Sequence, residues 1–194
     1  PKFHAPGGVG APSGRTGSRP EILIEGGALE FGHRGGTENL PGIVAMAAAL
    51  QEATENLPRE MEQVTALREK LIDGLAQIPH SRLNGHRTLR CPGTVNFCFE
   101  GIEGESLLLW LDAKGVAASS GPACTSGSLD PSHVLLALGL PHEIAHGSLR
   151  LSLTADNTAA EVDHILEVVP QVVEYLRGIS PVWEALETGK QAHL

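Results

Sequence analysis

The run Ser119-Ser120-Gly121-Pro122-Ala123-Cys124-Thr125-Ser126-Gly127-Ser128 is the stretch of this sequence that decides the fold. Nearly all of its residues are small, so the run predicts a loop with no large apolar neighbour to bury the Cys124 thiol. An accessible thiol is what a cysteine nucleophile requires. Most lone cysteines are inert, so at this point Cys124 is either a nucleophile or a plain loop thiol.

The other two cysteines have different surroundings. Cys98 lies in the apolar run 95–99, which predicts a small residue of a sheet or core. Cys91 precedes Pro92 among polar residues and has no evident role. Three cysteines without a CxxC spacing favour a reducing cytoplasm over a disulfide framework or a structural zinc site.

Short strands and helices flank the cysteine-containing loop on both sides. Apolar residues alternate with polar ones in the strands and recur at helical spacing in the helices. In chain order, the sequence predicts a strand over 94–99, a helix over 105–111, a short strand over 116–118, a helix over 131–138, a strand over 149–153 and a helix over 158–177. Because strands and helices mix without a strict βαβ period, we expect an α+β lobe.

Two helical patterns precede this lobe. In the first, Ile43, Met46, Ala47 and Leu50 follow the spacing of a buried face, with Asn39 as the N-cap. In the second, apolar residues form one stripe over 61–78. Pro58 stands between the two patterns and predicts a break or kink.

Glycine is unusually frequent in the first 37 residues. Such a density is typical of tight turns or of backbone close to a ligand. Lys2 precedes a Pro-Gly-Gly turn, and a lysine forms a Schiff base with a carbonyl cofactor when its pKa is lowered. Thr37 follows Arg34-Gly35-Gly36 and leads into a helix N-terminus, the kind of place where phosphates bind. The alternatives are a solvated lysine and an ordinary loop.

Arg150 lies on the polar edge of an otherwise leucine-rich strand. In one interpretation it is a solvent-facing charge, which is the usual role of a strand arginine. In the other, its guanidinium binds a substrate carboxylate through two hydrogen bonds.

Composition excludes several classes of protein. The 194 residues carry a formal net charge of −9, which argues against nucleic acid or an anionic membrane as partner. No apolar stretch approaches the ~20 residues of a transmembrane helix. No signal peptide is visible at residue 1 of the sequence as given. His142 and His146 have the spacing of metal ligands but no third ligand nearby in sequence, so surface or capping roles are expected.

Taken together, these residues and motifs resemble the second half of a NifS/IscS-type (group I) cysteine desulfurase, a member of the class V aminotransferase superfamily. The Cys124 run is the most specific part of the resemblance, which extends from residue 1 to about residue 184. The matching motifs are Lys2-Phe3-His4, Pro6-Gly7-Gly8-Val9-Gly10, Gly26-Gly27 with Glu30, Arg34-Gly35-Gly36-Thr37-Glu38-Asn39, Leu83-Asn84-Gly85-His86, Glu103-Gly104-Glu105-Ser106, the run 119–128, and His146-Gly147-Ser148-Leu149-Arg150.

The resemblance implies an α/β protein of the type I pyridoxal-phosphate fold, that of aspartate aminotransferase. The expected organisation has four parts. These are a remnant of the large cofactor domain over 1–45, connecting helices over 46–79, a small α+β domain over 80–179 with a mobile cysteine loop over 119–130, and a C-terminal tail over 180–194.

The resemblance also implies roles for four residues. Lys2 matches the lysine that holds pyridoxal 5'-phosphate, and Thr37 matches the residue that reaches the cofactor phosphate of the other subunit of a homodimer. Arg150 matches the arginine that binds the α-carboxylate of L-cysteine. Cys124 matches the nucleophile, whose attack on the substrate sulfur leaves a persulfide and releases alanine.

The segment 180–183 resembles the place where a scaffold protein for Fe–S assembly docks, and the expected compartment is the cytoplasm. Two other functions stay open. One is a domain that relays or docks sulfur without cofactor; the other is a related pyridoxal-phosphate enzyme such as a selenocysteine lyase. The cysteine loop argues against a transaminase, which needs no nucleophile there.

The sequence departs from the family pattern near its start. Pro1 stands in place of a histidine, Gly8 replaces a common lysine, and residues 11–14 replace an apolar strand that Pro12 would break. The histidine that stacks on the cofactor ring and the aspartate that pairs with its nitrogen are expected outside these 194 residues. We therefore expect this chain alone to bind cofactor poorly and to have little activity.

Overall fold

The computed structural model describes residues 3–18, 21–27, 29–120 and 131–188. The chain divides into two compact units, Pro1–Pro58 and Arg59–Leu194. A 3-10 turn over Leu29–Gly32 comes before the first long helix. In chain order the elements are α1 (Leu40–Leu75), β1 (Ser81–Leu83), β2 (Thr94–Phe99), α2 (Gly104–Ala113), α3 (His133–Ala137), α4 (His142–His146), β3 (Ser148–Ser152), α5 (Ala159–Gly178) and α6 (Pro181–Glu187).

The first unit consists of turns and irregular segments that lead into α1. Gly35 makes a close backbone approach there: its N–H donates to the Ile24 carbonyl at 2.8 Å. A Cβ added at Gly35 would lie 2.5 Å from the Gly26 carbonyl oxygen, so only glycine fits. The predicted cap is confirmed, because the Asn39 Oδ1 accepts from the Gly42 N–H at 3.2 Å.

Two sequence expectations for α1 differ from the structure. The expected break at Pro58 is wrong, because a proline removes one backbone hydrogen bond and need not end a long helix, and α1 continues through it; a kink there stays a prediction. The predicted buried stripe at the start of α1 is not buried: Ile43 is 37% and Leu50 53% exposed. No described segment of the first unit covers that stripe.

The second unit is built on a three-stranded antiparallel sheet in the order β1-β2-β3. One face of the sheet carries Val95, Phe97 and Phe99 from β2 with Leu149 and Leu151 from β3, all buried. The second part of α1, α2 and α5 supply most of the other members of this core, and the connecting segments supply Ile78, Ile102 and Val116. Period-two alternation thus places the apolar residues of both strands on one face, as predicted.

The opposite face of the sheet is polar where it meets no helix. A small second cluster of Cys98, Leu135, Leu140 and Ala145 covers part of it, through α3 and α4. The remainder carries the polar side chains of β2 and β3 and is described below.

Most predicted elements of this unit are confirmed, with shifted ends. The strand over 94–99 is found as β2, and the helix over 158–177 as α5, whose N-cap is Thr158. The short strand predicted over 116–118 is wrong, because this segment pairs with β3 only at Ser119. Strand β1 and helices α4 and α6 are absent from the sequence prediction because each is too short to show a period. Within the described residues, no helix combines the length and apolar character needed to span a bilayer.

Candidate active site

The structure describes two of the four predicted site residues. Lys2 and Cys124 lie outside the described residues. Thr37 belongs to the first compact unit and Arg150 to the second. Thr37 and Arg150 therefore have separate surroundings, each within its own unit, and the roles of Lys2 and Cys124 stay predictions.

Arg150 occupies the middle of β3, on the polar face of the sheet. Its neighbours Leu149 and Leu151 point into the core, so the alternation of the strand turns Arg150 the other way. The residue is half-buried, and its side-chain Nε is fully buried without a hydrogen-bond partner among the described residues. A buried donor without an acceptor is costly, and such atoms usually indicate an absent ligand or water.

The cysteine-containing run begins beside this arginine. The Ser119 N–H donates to the Arg150 carbonyl at 3.0 Å, and the Arg150 N–H donates to the Ser119 carbonyl at 2.6 Å. This pair of hydrogen bonds makes an isolated antiparallel bridge. Residues opposed in this way have side chains on the same face, so Ser119 and Arg150 both lie on the polar face.

Two asparagines continue the row of polar residues across the sheet. Asn96 of β2 stands directly opposite Arg150, and the Asn84 N–H donates to the Asn96 carbonyl at 2.9 Å. The Asn84 Nδ2 donates to the Asn96 Oδ1 at 2.6 Å. We call Asn84, Asn96, Arg150 and Ser119 the polar row.

The polar row holds unsatisfied buried groups. Within the described residues, two buried side-chain atoms lack a hydrogen-bond partner, Asn84 Oδ1 and Arg150 Nε, and both belong to it. Asn84 is only 6% exposed. A concentration of unpaired polar atoms on one sheet face indicates a site that completes its hydrogen bonds with a ligand.

Cys98 also lies on this face, but its environment makes it inert. It is 1% exposed and accepts a hydrogen bond from Asn84 Nδ2 at 3.1 Å. Burial raises the pKa of the Cys98 thiol, and the Asn84 hydrogen bond opposes that rise only in part. The prediction that Cys98 is a core or sheet residue is confirmed.

Thr37 lies in an exposed turn three residues before α1. Gly36 has φ +98, a left-handed conformation that places the Thr37 amide in the turn. Neither the N–H nor the hydroxyl of Thr37 makes a hydrogen bond with the described residues of its unit. A free hydroxyl and amide at the entry to a helix fit the phosphate of pyridoxal phosphate.

The two described sites therefore offer donors for two anions. The Arg150 guanidinium matches a carboxylate, which accepts two parallel N–H bonds from arginine. The turn at Thr37 matches a phosphate. Within each unit, the residues present thus fit the groups that a pyridoxal-phosphate enzyme of amino acids must bind.

Asn96 was not among the site residues predicted from the sequence, and Asn84 was noted only as part of the motif Leu83-Asn84-Gly85-His86. Asn96 interrupts a strand of apolar residues, and asparagine is depleted in strands, so the residue type was itself a signal. Its pairing with Arg150 was not readable, because the register joins residues more than fifty positions apart.

The histidine pair of α4 has no metal-site geometry. The rings of His142 and His146 lie 4.7 Å apart, edge to face. Among the residues that the structure describes, no three metal-binding side chains come together.

Comparison with known proteins agrees with this chemistry. The aminotransferase class-V family model matches residues 2–165. Cysteine desulfurase IscS of Clostridium botulinum (strain Hall) is 51% identical over 193 residues, covering 98% of this chain and 49% of that protein. Cysteine desulfurase IscS of Methanosarcina thermophila is 52% identical over 181 residues, 93% of this chain and 45% of that protein.

A solved structure gives the same result for the fold. A NifS-like protein superimposes with a TM-score of 0.79 at 35% identity, over 90% of this chain and 44% of that one. The chain thus spans about half the length of the curated relatives it matches.

Proposed function

Because the chain belongs to the aminotransferase class-V family, we propose that it acts in the removal of sulfur from L-cysteine, with Cys124 as sulfur acceptor and Arg150 as carboxylate-binding residue. The family and its cysteine desulfurase relatives depend on pyridoxal phosphate. The observation that carries the proposal is the buried Nε of Arg150, which has no hydrogen-bond partner among the described residues. Arg150 also pairs through its backbone with Ser119, the first residue of the Cys124 run.

In this proposal each subunit of a homodimer contributes to two cofactor sites. Lys2 would hold the aldehyde carbon of one pyridoxal phosphate, and Thr37 would donate from its hydroxyl and amide to the phosphate of the cofactor held by the other subunit. When bound, pyridoxal phosphate supplies an electron sink for chemistry at the substrate Cα. The N–H and hydroxyl of Thr37 support this assignment, since neither makes a hydrogen bond with the described residues of its unit.

The protein residues then perform binding and sulfur transfer. Arg150 holds the substrate α-carboxylate, which fixes the orientation of the substrate sulfur. The Cys124 thiolate attacks that sulfur, so an S–S bond forms while the substrate Cβ–S bond breaks. Its electron pair stays on the substrate carbon, which takes up a proton and leaves as alanine. The products balance as one protein persulfide and one alanine.

We further propose that the working protein is a cytoplasmic homodimer whose persulfide serves Fe–S assembly or another sulfur acceptor. The segment 180–183 begins α6, where the Trp183 ring lies 4.1 Å from the Arg177 guanidinium and 5.3 Å from the His80 ring. A groove of about 1050 Å³ runs beside it, between α1, α5 and α6. The groove contains no member of the polar row, which supports a docking role rather than a catalytic one.

A chimera tests the catalytic proposal. The part of the Clostridium botulinum relative that this chain does not match is joined to residues 1–194. We expect this chimera to release sulfur from L-cysteine. Its Cys124→Ser variant should keep the visible absorbance of bound cofactor and form no persulfide, as measured by the mass increase of one sulfur atom on the intact protein.

Three outcomes separate the alternatives. Persulfide formation in the Cys124→Ser variant, with a matched Cys91→Ser control unchanged, would remove Cys124 from its role. A chimera that binds cofactor but prefers selenocysteine would indicate a selenocysteine lyase. A chimera that accepts sulfur from another persulfide without binding cofactor would indicate a sulfur-relay domain.

A further inference from the structure

From the polar row we infer a second carboxylate-binding residue: the Asn96 side-chain amide donates to the same substrate carboxylate as Arg150, and Asn84 holds it in that orientation. This inference rests on the proposed function, since it takes the Arg150 ligand to be an amino-acid carboxylate. It adds a binding residue on β2 and a positioning residue after β1.

Asn96 and Arg150 are spaced closely enough for their side chains to meet one ligand. Opposed residues of an antiparallel pair alternate between hydrogen-bonded and non-hydrogen-bonded pairs, and side chains are closer in the second kind. Arg150 directs its N–H and carbonyl to Ser119, and the Asn96 carbonyl accepts from Asn84. Both backbones therefore face away from each other. Asn96 and Arg150 form a non-hydrogen-bonded pair, whose Cβ atoms are about 4.5–5.5 Å apart.

The hydrogen bond to Asn84 fixes the orientation of the Asn96 amide. Its Oδ1 is already occupied by the 2.6 Å hydrogen bond from the Asn84 Nδ2. Its Nδ2 donates to none of the described residues, although Asn96 is only half-buried. An amide has distinct donor and acceptor ends, so fixing the oxygen toward β1 leaves the donor end for a ligand.

Arg150 and the amide nitrogen of Asn96 are both hydrogen-bond donors. Neither the guanidinium of Arg150 nor the amide nitrogen of Asn96 is an acceptor, so the two cannot bond to each other. Two neighbouring donors with no acceptor of their own are satisfied by one anion with two oxygens. A carboxylate has this shape, and Arg150 Nε is the buried donor that lacks a partner among the described residues.

Asn84 uses its side-chain nitrogen but not its side-chain oxygen. Its Nδ2 donates to Asn96 Oδ1 and to Cys98 Sγ, while its buried Oδ1 has no partner among the described residues. An asparagine that leaves its own carbonyl unsatisfied stabilises the fold poorly. The arrangement is accounted for if the task of Asn84 is to set the direction of the Asn96 amide.

Side-chain NMR of the 194-residue chain tests the inference without cofactor. L-alanine is the probe, because it carries the carboxylate and is not a sulfur donor. L-alaninamide, which lacks the carboxylate, is the control ligand. We expect the Arg150 Nε–H and Asn96 Nδ2–H2 resonances to shift along one saturation curve with L-alanine, and neither to shift with L-alaninamide.

Variants sharpen the result. Asn96→Ala should weaken L-alanine binding about tenfold, as read from the Arg150 resonance, since one hydrogen bond to a charged group is lost. Asn96→Asp should abolish binding, because its carboxylate competes for Arg150. Ser152→Ala changes an exposed residue of the same strand face and should leave the binding constant unchanged.

The inference and the proposed function fail in different ways. If Arg150 responds to L-alanine while the Asn96 amide does not, or if Asn96→Ala binds as tightly as the unchanged chain, the inference is overturned and the carboxylate role of Arg150 stands. If neither resonance responds, the role of Arg150 fails and the inference with it. The titration of the unchanged chain is decisive even if a variant does not fold.

Discussion

At the scale of single residues, burial separates two cysteines that look alike by type. Cys98 is buried on the polar face against α3 and α4, and Cys91 is exposed. The strand pattern was sufficient to predict the position of Cys98, because alternation with two phenylalanines fixes its face. The position of Cys124 stays a prediction from its small neighbours and from the resemblance.

We predict that Cys98 is the least reactive thiol of the chain. Burial raises its thiol pKa, so little thiolate forms at neutral pH, and reagent access requires local unfolding. In a Cys124→Ser background, a disulfide reagent should modify Cys91 at least about a hundredfold faster than Cys98. Equal rates for the two thiols, followed by mass spectrometry, would contradict the burial of Cys98.

At the scale of elements, the sequence predicts helices and strands that have a period of their own, and it predicts poorly those that are defined by pairing with distant residues. Strand β2 and helix α5 were predicted closely because their periods run over six and twenty residues. Strand β1 has three residues and no period of its own, and is defined by pairing with β2. The polar row depends on that pairing, so the part of the site that the sequence missed is the part that register creates.

The N-terminus of α5 carries a complete capping box. The Glu161 N–H donates to the Thr158 Oγ1 at 3.2 Å, and the Thr158 N–H donates to the Glu161 carboxylate at 2.8 Å. We predict that Thr158→Ala lowers the free energy of unfolding by about 1 kcal/mol in urea titrations. Thr54→Ala, in the middle of α1 and exposed, is the control and should not destabilise. Equal effects of the two changes would show that the cap is unimportant.

The same cap predicts a pH dependence. Hydrogen bonds from the Thr158 N–H, and secondarily from Asn157, lower the pKa of Glu161 below its usual value. Because the folded pKa is the lower one, the contribution of Glu161 is present above the unfolded value of 4.5 and is lost as the pH falls through the folded pKa. The stability difference between Glu161→Gln and the unchanged chain should therefore shrink below pH 4.5. A constant difference down to acid unfolding would contradict this linkage.

At the scale of the whole molecule, the two units differ in how well they bury apolar side chains. The second unit has a continuous core of α1, α2, α5 and the sheet. The first leaves Phe31 97% and Leu23 94% exposed. The sequence predicted helical periodicity in both units, but a period indicates a face and does not indicate what covers it.

This contrast leads to a prediction for the 194-residue chain on its own. Of its two proposed cofactor residues, Lys2 lies outside the described residues, and Thr37 lies in an exposed turn of the poorly buried unit, where few packed contacts hold it. We expect weak binding of pyridoxal phosphate in absorbance titrations and little or no sulfide release from L-cysteine. The chimera described above should bind the cofactor stably and release sulfide. A stable yellow complex of the chain alone that releases sulfide would contradict this.

The bridge between Ser119 and Arg150 sets a geometric limit on any sulfur that Cys124 carries. Cys124 is five positions after Ser119, and a chain advances at most about 3.6 Å per residue, so the two Cα atoms lie within about 18 Å of each other. Covalent geometry alone thus keeps the thiol at an effective concentration in the millimolar range around the arginine. In the proposed function, the strand edge at Ser119 is therefore the fixed end of a tether, and the length of that tether limits how far from Arg150 the sulfur can be delivered.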